Sequence, residues 1–163
     1  MQQNYFYSPT KGKLSLKEMN REILNYIKED QQRRYNLVIG TDSQGKDEVN
    51  FVTAVIIHRI GKGGRYFWEK SKKKKINSLR HRIWEEVTAS LNLAQNLIGN
   101  FKDFIIRENS PFYENLEIHI DIGEKGPTRE MIKEVVAMVN GNGFKAKVKP
   151  DAYGASTAAD RHT

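Results

Sequence analysis

Leu16, Met19, Ile23, Leu24 and Ile27 recur at helical spacing behind Ser15-Leu16-Lys17-Glu18, which has the spacing of a capping box. This predicts a helix from about Leu16 to Asp30. From Tyr35 to Asp42 the chain is almost wholly apolar until its end, the pattern of a strand covered on both faces. Two further runs, Val49 to Ile60 and Arg65 to about Lys72, are joined by the turn-forming Gly61-Lys62-Gly63-Gly64. Helical periodicity returns from Leu79 to Ile98 behind Ser78. Leu116 to Ile122 alternates as a fourth strand. A third helix opens at Gly126-Pro127, with Met131, Ile132, Val135, Val136 and Val139 on its core side, and ends at Asn140-Gly141-Asn142-Gly143. Phe144 to Lys149 reads as a fifth strand, and a last helix starts near Ala152. Phe101 to Asn115 either extends the second helix or forms a loop.

The order is a leading helix followed by β-β-β-α-β-α-β-α. It predicts a five-stranded mixed α/β sheet, three strands antiparallel and then two parallel, the later ones reached by right-handed helical crossovers. A chain of 163 residues suits one domain, with residues 1–34 as lead-in and helix and 35–163 as the α/β body.

Composition narrows the chemistry. There is no cysteine, which excludes disulfide scaffolds and thiolate zinc sites. No apolar run has the length of a membrane helix, and the first residues lack a signal-peptide core, so a cytoplasmic protein is expected. The net charge of +7 suits a polyanionic partner, nucleic acid above all, although many basic proteins have no such partner.

The acids stand in a suggestive order. Asp42 closes the first apolar strand, at the carboxyl edge where open α/β sheets bind ligands. The competing reading is an Asx-turn before Gly45. Asp121 repeats the pattern on the fourth strand, or else serves the loop at Gly123. If the two strands are parallel neighbours, the carboxylates share one edge, and their repulsion calls for a cation. Glu86 falls at the border of the apolar stripe of its helix, beside Ile83 and Ser90, whereas Glu85 points to solvent. A surface pairing of Glu86 with Arg82 is the alternative. Asp160 follows small residues near the chain end. Carboxylates without cysteine suit Mg²⁺ or Mn²⁺, and such ions support in-line attack of water on a phosphodiester.

Three segments carry a resemblance. Ile-Gly-Thr-Asp-Ser-Gln (39–44), Ile-His-Ile-Asp-Ile-Gly (118–123) and Lys-Pro-Asp-Ala-Tyr-Gly-Ala-Ser-Thr-Ala-Ala-Asp-Arg-His-Thr (149–163) resemble the YkuK-type family of bacterial proteins, described as predicted ribonuclease H-like nucleases. The likeness covers nearly the whole chain from Tyr35 onward. It implies a ribonuclease H-like fold first, a metal site second and nuclease activity third. By that pattern Asp42, Glu86, Asp121 and Asp160 take the four acidic positions, as metal ligands and catalytic residues for Mg²⁺ or Mn²⁺.

Around them, Ser43, Gln44 and Lys149 are candidates for substrate contact, against ordinary turn bonding and a solvated lysine. Lys145, Lys147 and Lys149 share one strand face, as a basic stripe or a plain edge. Lys72 to Lys75 could hold a phosphate backbone or simply lie in solvent. Tyr66 and Trp68 could stack bases or pack under helices. His119 is expected in the core, and His162 near the terminus. Three functions compete. The first is a metal-dependent nuclease on RNA, DNA or hybrid. The second is a nucleic-acid-binding module without turnover. The third is an actin-like nucleotide-phosphate protein, disfavoured because those proteins duplicate the domain.

Overall fold

A computed structural model describes residues 4–108 and 116–152, apart from the side chains at 72–74 and 103–108. Its sheet has seven strands rather than the expected five. They are β1 (Tyr5–Ser8), β2 (Gly12–Ser15), β3 (Tyr35–Gln44), β4 (Glu48–Arg59), β5 (Gly64–Lys74), β6 (Leu116–His119) and β7 (Lys145–Lys147), in the order β2-β1-β5-β4-β3-β6-β7. The helices are α1 (Leu16–Glu29), α2 (Leu79–Glu108) and α3 (Ile132–Gly141). Within this sheet the expected core is intact. β3, β4 and β5 form an antiparallel meander, β6 runs parallel to β3, and β7 parallel to β6.

The two extra strands come from a segment whose strand residues are tyrosine, lysine and serine around a single buried Phe6 and Leu14. Their hairpin turns through Gly12 at φ +72° and attaches beside β5 through Tyr7 and Trp68. Other boundaries differ as well. β6 stops at His119 instead of Ile122, because Ile122 N–H donates to Ile120 C=O and closes a three-residue turn with Asp121 at its apex. α3 begins at Ile132, after a 3₁₀ turn over Arg129–Met131, and not at Pro127. α2 continues to Glu108, which settles that part of the uncertain stretch as helix. The expected last helix beyond Ala152, with Asp160 and His162, lies outside the described residues, as do residues 109–115.

Strand alternation divides the sheet. Leu37, Ile39, Val55, Ile57 and Phe67 face α1 and α2, and pack with Met19, Ile23, Ile83, Val87, Leu91 and Leu97 into the main core. Val38, Val52 and Ala54 face the other way, with Trp68 and Ile56 beside them. Ser15 caps α1 by accepting from Glu18 N–H, and the Glu18 carboxylate accepts from Ser15 N–H, so the capping box expected from sequence is present.

Candidate metal centre

β3 and β6 are parallel neighbours with Leu37 opposite Leu116 and Gly40 opposite His119. Asp42 lies two residues beyond Gly40 on β3, and Asp121 two residues beyond His119, past the end of β6. Adjacent strands lie about 4.8 Å apart, so the two acids belong to one corner of the sheet. The strand β3 does not end at Asp42; it runs on to Gln44, opposite Asn50 of β4. Asp121, by contrast, stands free of the ladder on its turn. Both acids are half-buried.

Glu86 enters this corner from α2. The helix comes close because small polar residues line its approach. Thr41 Oγ1 lies 2.8 Å from Ser90 Oγ and 3.0 Å from Thr53 Oγ1. One turn away, Glu86 is only 6% exposed and accepts a short hydrogen bond from Ser43. Ser43 accepts in turn from Arg82 Nε at 2.7 Å, and Arg82 Nη1 donates to the Gly45 carbonyl at 3.0 Å. Glu85 instead pairs with His81 at 3.4 Å on the outer side of the helix.

Burial is the main force on Glu86 and raises its pKa to about 8. The Ser43 hydrogen bond opposes this. The charge of Asp42 adds to the rise, Arg82 opposes it, and Asp121 adds again. Glu86 therefore feels both strand acids, and the three carboxylates form one electrostatic unit. Lys149 supplies the nearest counter-charge, with Nζ 2.7 Å from Asp121 Oδ1. The hydrogen bond and charge of Asp121 raise the Lys149 pKa, with a further contribution from Asp42. Its backbone is pinned there, since Lys149 N–H donates to Ile122 C=O at 2.8 Å. Gly123 makes room for the stem, because a Cβ there would lie 3.1 Å from Lys149 Cβ.

The sequence candidates are thus placed as follows. Asp42 and Asp121 both act electrostatically on Glu86, although alternation turns Asp42 to the face away from α2, and Lys149 pairs with Asp121. Gln44 is exposed at the strand end. Ser43 is buried against α2, where it holds Glu86 and Arg82. Asp160 lies outside the described residues. His119 is a buried histidine, 3.1 Å from Glu117, and burial lowers its pKa. Arg82 is no simple surface i−4 partner of Glu86, since Ser43 stands between them and bonds both. Among the described residues no three carboxylates or imidazoles close into a ready cage for a metal ion. The donor chemistry nevertheless fits a hard divalent cation. All the acids are oxygen donors, and their mutual repulsion, visible at Glu86, is the kind a cation relieves.

Ser43→Ala is expected to destabilise the fold by about 1–3 kcal/mol, because it leaves a buried carboxyl and a guanidinium without their shared hydroxyl. Chemical denaturation of the variant beside wild type measures this. Ser43→Thr should restore part of the loss.

A five-stranded core of order β5-β4-β3-β6-β7, with one acid on β3, one just past β6 and one on the helix between them, is the ribonuclease H-like arrangement. A family model described as Ribonuclease H-like matches residues 18–163. The chain is also 32% identical to "Uncharacterized protein YkuK" of Bacillus subtilis (strain 168), over 97% of this chain and 96% of that protein. It belongs to the YkuK-type ribonuclease H-like family. No solved structure matches it. Among the described residues no helix is long and apolar enough to cross a membrane.

Proposed function

We propose that the protein is a divalent-metal-dependent nuclease or phosphodiesterase acting on nucleic acid. The observation that carries this reading is the coupling of Asp42, Glu86 and Asp121 at one corner of a ribonuclease H-like sheet. On this reading Asp42, Glu86, Asp121 and Asp160 would hold Mg²⁺ or Mn²⁺, which when bound supplies neutralisation of charge and activation of water for attack on the phosphodiester. Ser43 and Arg82 orient the Glu86 carboxyl, which can keep or release a proton near neutral pH. Lys149 stands at the rim of the corner, where its ammonium can meet a substrate phosphate. Gln44, exposed at the end of β3, can reach a sugar or phosphate oxygen.

The test is direct. Labelled single-stranded RNA, single-stranded DNA, duplex and hybrid are incubated with the protein and Mn²⁺, with and without chelator. The expected result is cleavage of at least one substrate, abolished by chelator and restored by added Mn²⁺. Absence of cleavage from the whole panel overturns the reading.

One observation favours a second reading. The Lys149–Asp121 ion pair already neutralises part of the acidic corner, as it would in a nucleic-acid-binding module without turnover. That reading expects salt-sensitive binding that Asp42→Asn leaves unchanged.

A further inference from the structure

The hairpin β1–β2 widens the sheet beyond its five-stranded core and precedes the segment matched by the family model, which begins at residue 18. Alternation turns Phe6 and Ser8 inward, where both are buried, and sends Tyr5 and Tyr7 to the opposite face, 38% and 39% exposed. On that face Tyr7 stands in register with Trp68, their ring centroids 5.9 Å apart and their planes 33° from parallel. Trp68 in turn stacks on Tyr66 at 5.6 Å and 27°. This is a run of three aromatic rings, one pair tilted and one stacked, directed away from α1 and α2.

Two lysines flank these rings on the same face, and its acids, Glu48 and Asp42, lie further off on β4 and β3. Lys13, opposite Tyr7 in the hairpin, holds its ammonium 4.1 Å from the Tyr5 ring centroid. Lys70, two residues beyond Trp68 on β5, is exposed. The one acid of β5, Glu69, faces the other side. Flat apolar rings interleaved with ammonium groups complement a ligand that alternates flat bases with phosphates, and only a single strand offers its base faces. A duplex keeps its bases stacked inside.

Position ties this face to the acidic corner. Lys70 pairs with Val52 of β4, and Val52 pairs with Asp42 of β3. Lys70 and Asp42 therefore stand in one row of the same face, roughly 10 Å apart at ordinary strand spacing, with Val52 buried between them.

We propose that the outer face of the N-terminal hairpin and β5 is a platform for single-stranded nucleic acid, with bases stacked on Tyr5, Tyr7 and Trp68 and phosphates held by Lys13 and Lys70. It deepens the proposed function and rests on it only in taking nucleic acid as the ligand.

The experiment measures fluorescence anisotropy of a short labelled oligouridine, and of a matched duplex, in metal-free buffer. Wild type is expected to prefer the single strand. Tyr5→Thr/Tyr7→Thr, which keeps residues that favour strands, is expected to weaken single-strand binding by roughly tenfold or more per ring lost. Lys13→Gln should flatten the salt dependence. Should the double variant fail to fold, Trp68 reports in its place. In a Trp84→Phe background, saturating oligouridine should quench its emission.

Equal affinity of wild type for duplex overturns the proposal. So does a folded double variant that binds like wild type, or Trp68 emission that oligouridine does not alter. Loss of self-association in the double variant, with no oligouridine binding by wild type, would assign the face to a second copy of the chain instead. Binding without cleavage sustains the platform and sinks the nuclease reading. Cleavage and binding unaffected by the double variant do the reverse.

Discussion

Replacing Asp42 or Asp121 by asparagine is expected to abolish saturable Mn²⁺ binding in calorimetric titration and to lower hydrolysis by on the order of a thousandfold. The expectation follows from register. β3 and β6 are paired neighbours, each acid lies two residues beyond their last pair, and both act electrostatically on Glu86. Neither Gln44 nor any other described side chain takes the place of either. Asparagine keeps the shape and removes the charge, so the fold should persist, and matched thermal melts verify it. The two variants differ in one respect. Asp121→Asn also deprives Lys149 of its ion-pair partner, whereas Asp42→Asn leaves the 2.7 Å pair in place. Undiminished Mn²⁺ binding in Asp42→Asn would place the ion elsewhere. Loss of hydrolysis with intact ion binding would make Asp42 a substrate contact instead of a ligand.

Glu86→Gln is expected to stabilise the metal-free protein at alkaline pH by several kcal/mol and to change it little near pH 5. The carboxyl is buried beside two other acids, and its pKa in the fold is about 8 against an ordinary 4.5. Between those values the folded chain holds a proton that the unfolded chain releases. Stability from this group is therefore complete below about pH 4.5 and declines as pH rises through 8. Glutamine cannot ionise and removes the decline. Urea unfolding with chelator present, at pH 5.5 and pH 9, measures the difference between variant and wild type. A smaller slope survives in the variant because Glu69, whose burial raises its pKa to about 7, loses its proton over a lower range. An unchanged pH slope in Glu86→Gln would mean that Glu86 ionises in the fold as freely as in water. The same proton must leave before Glu86 can act as a ligand, so Mn²⁺ affinity should increase with pH up to about 8.

The core of this fold is legible because its strands are long and rich in β-branched residues. Val38, Ile39, Val52, Val55, Ile56 and Ile57 admit few other readings, and Asp42 and Asp121 stand out against such runs. The hairpin is not legible in the same way. Its two buried anchors, Phe6 and Leu14, are separated by a turn through Pro9 and Gly12, and its other strand residues are polar or aromatic. Pro9 and Gly12, bracketing Thr10 and Lys11, are the available signal. The end of β6 escaped for another reason. Alternation continues through Ile120 and Ile122, both buried, while the backbone has already turned at Asp121. At the acidic corner, the inward side of Glu86 follows from helical angle alone. The link from Arg82 through Ser43 does not, since it joins residues 39 positions apart and exists only once α2 lies on β3.

The order of the sheet has a consequence for how the protein behaves when crowded. The long strands β3, β4 and β5 are all interior. Among the described residues the outermost strands are β2 and β7, four and three residues long, and they carry Lys13 in one case and Lys145 and Lys147 in the other. Short, cationic borders are poor templates for a further strand from another molecule. Without the hairpin the border would be β5, eleven residues long. The hairpin Tyr5–Ser15 therefore puts a short cationic strand outermost in place of β5, a poorer template for strand addition.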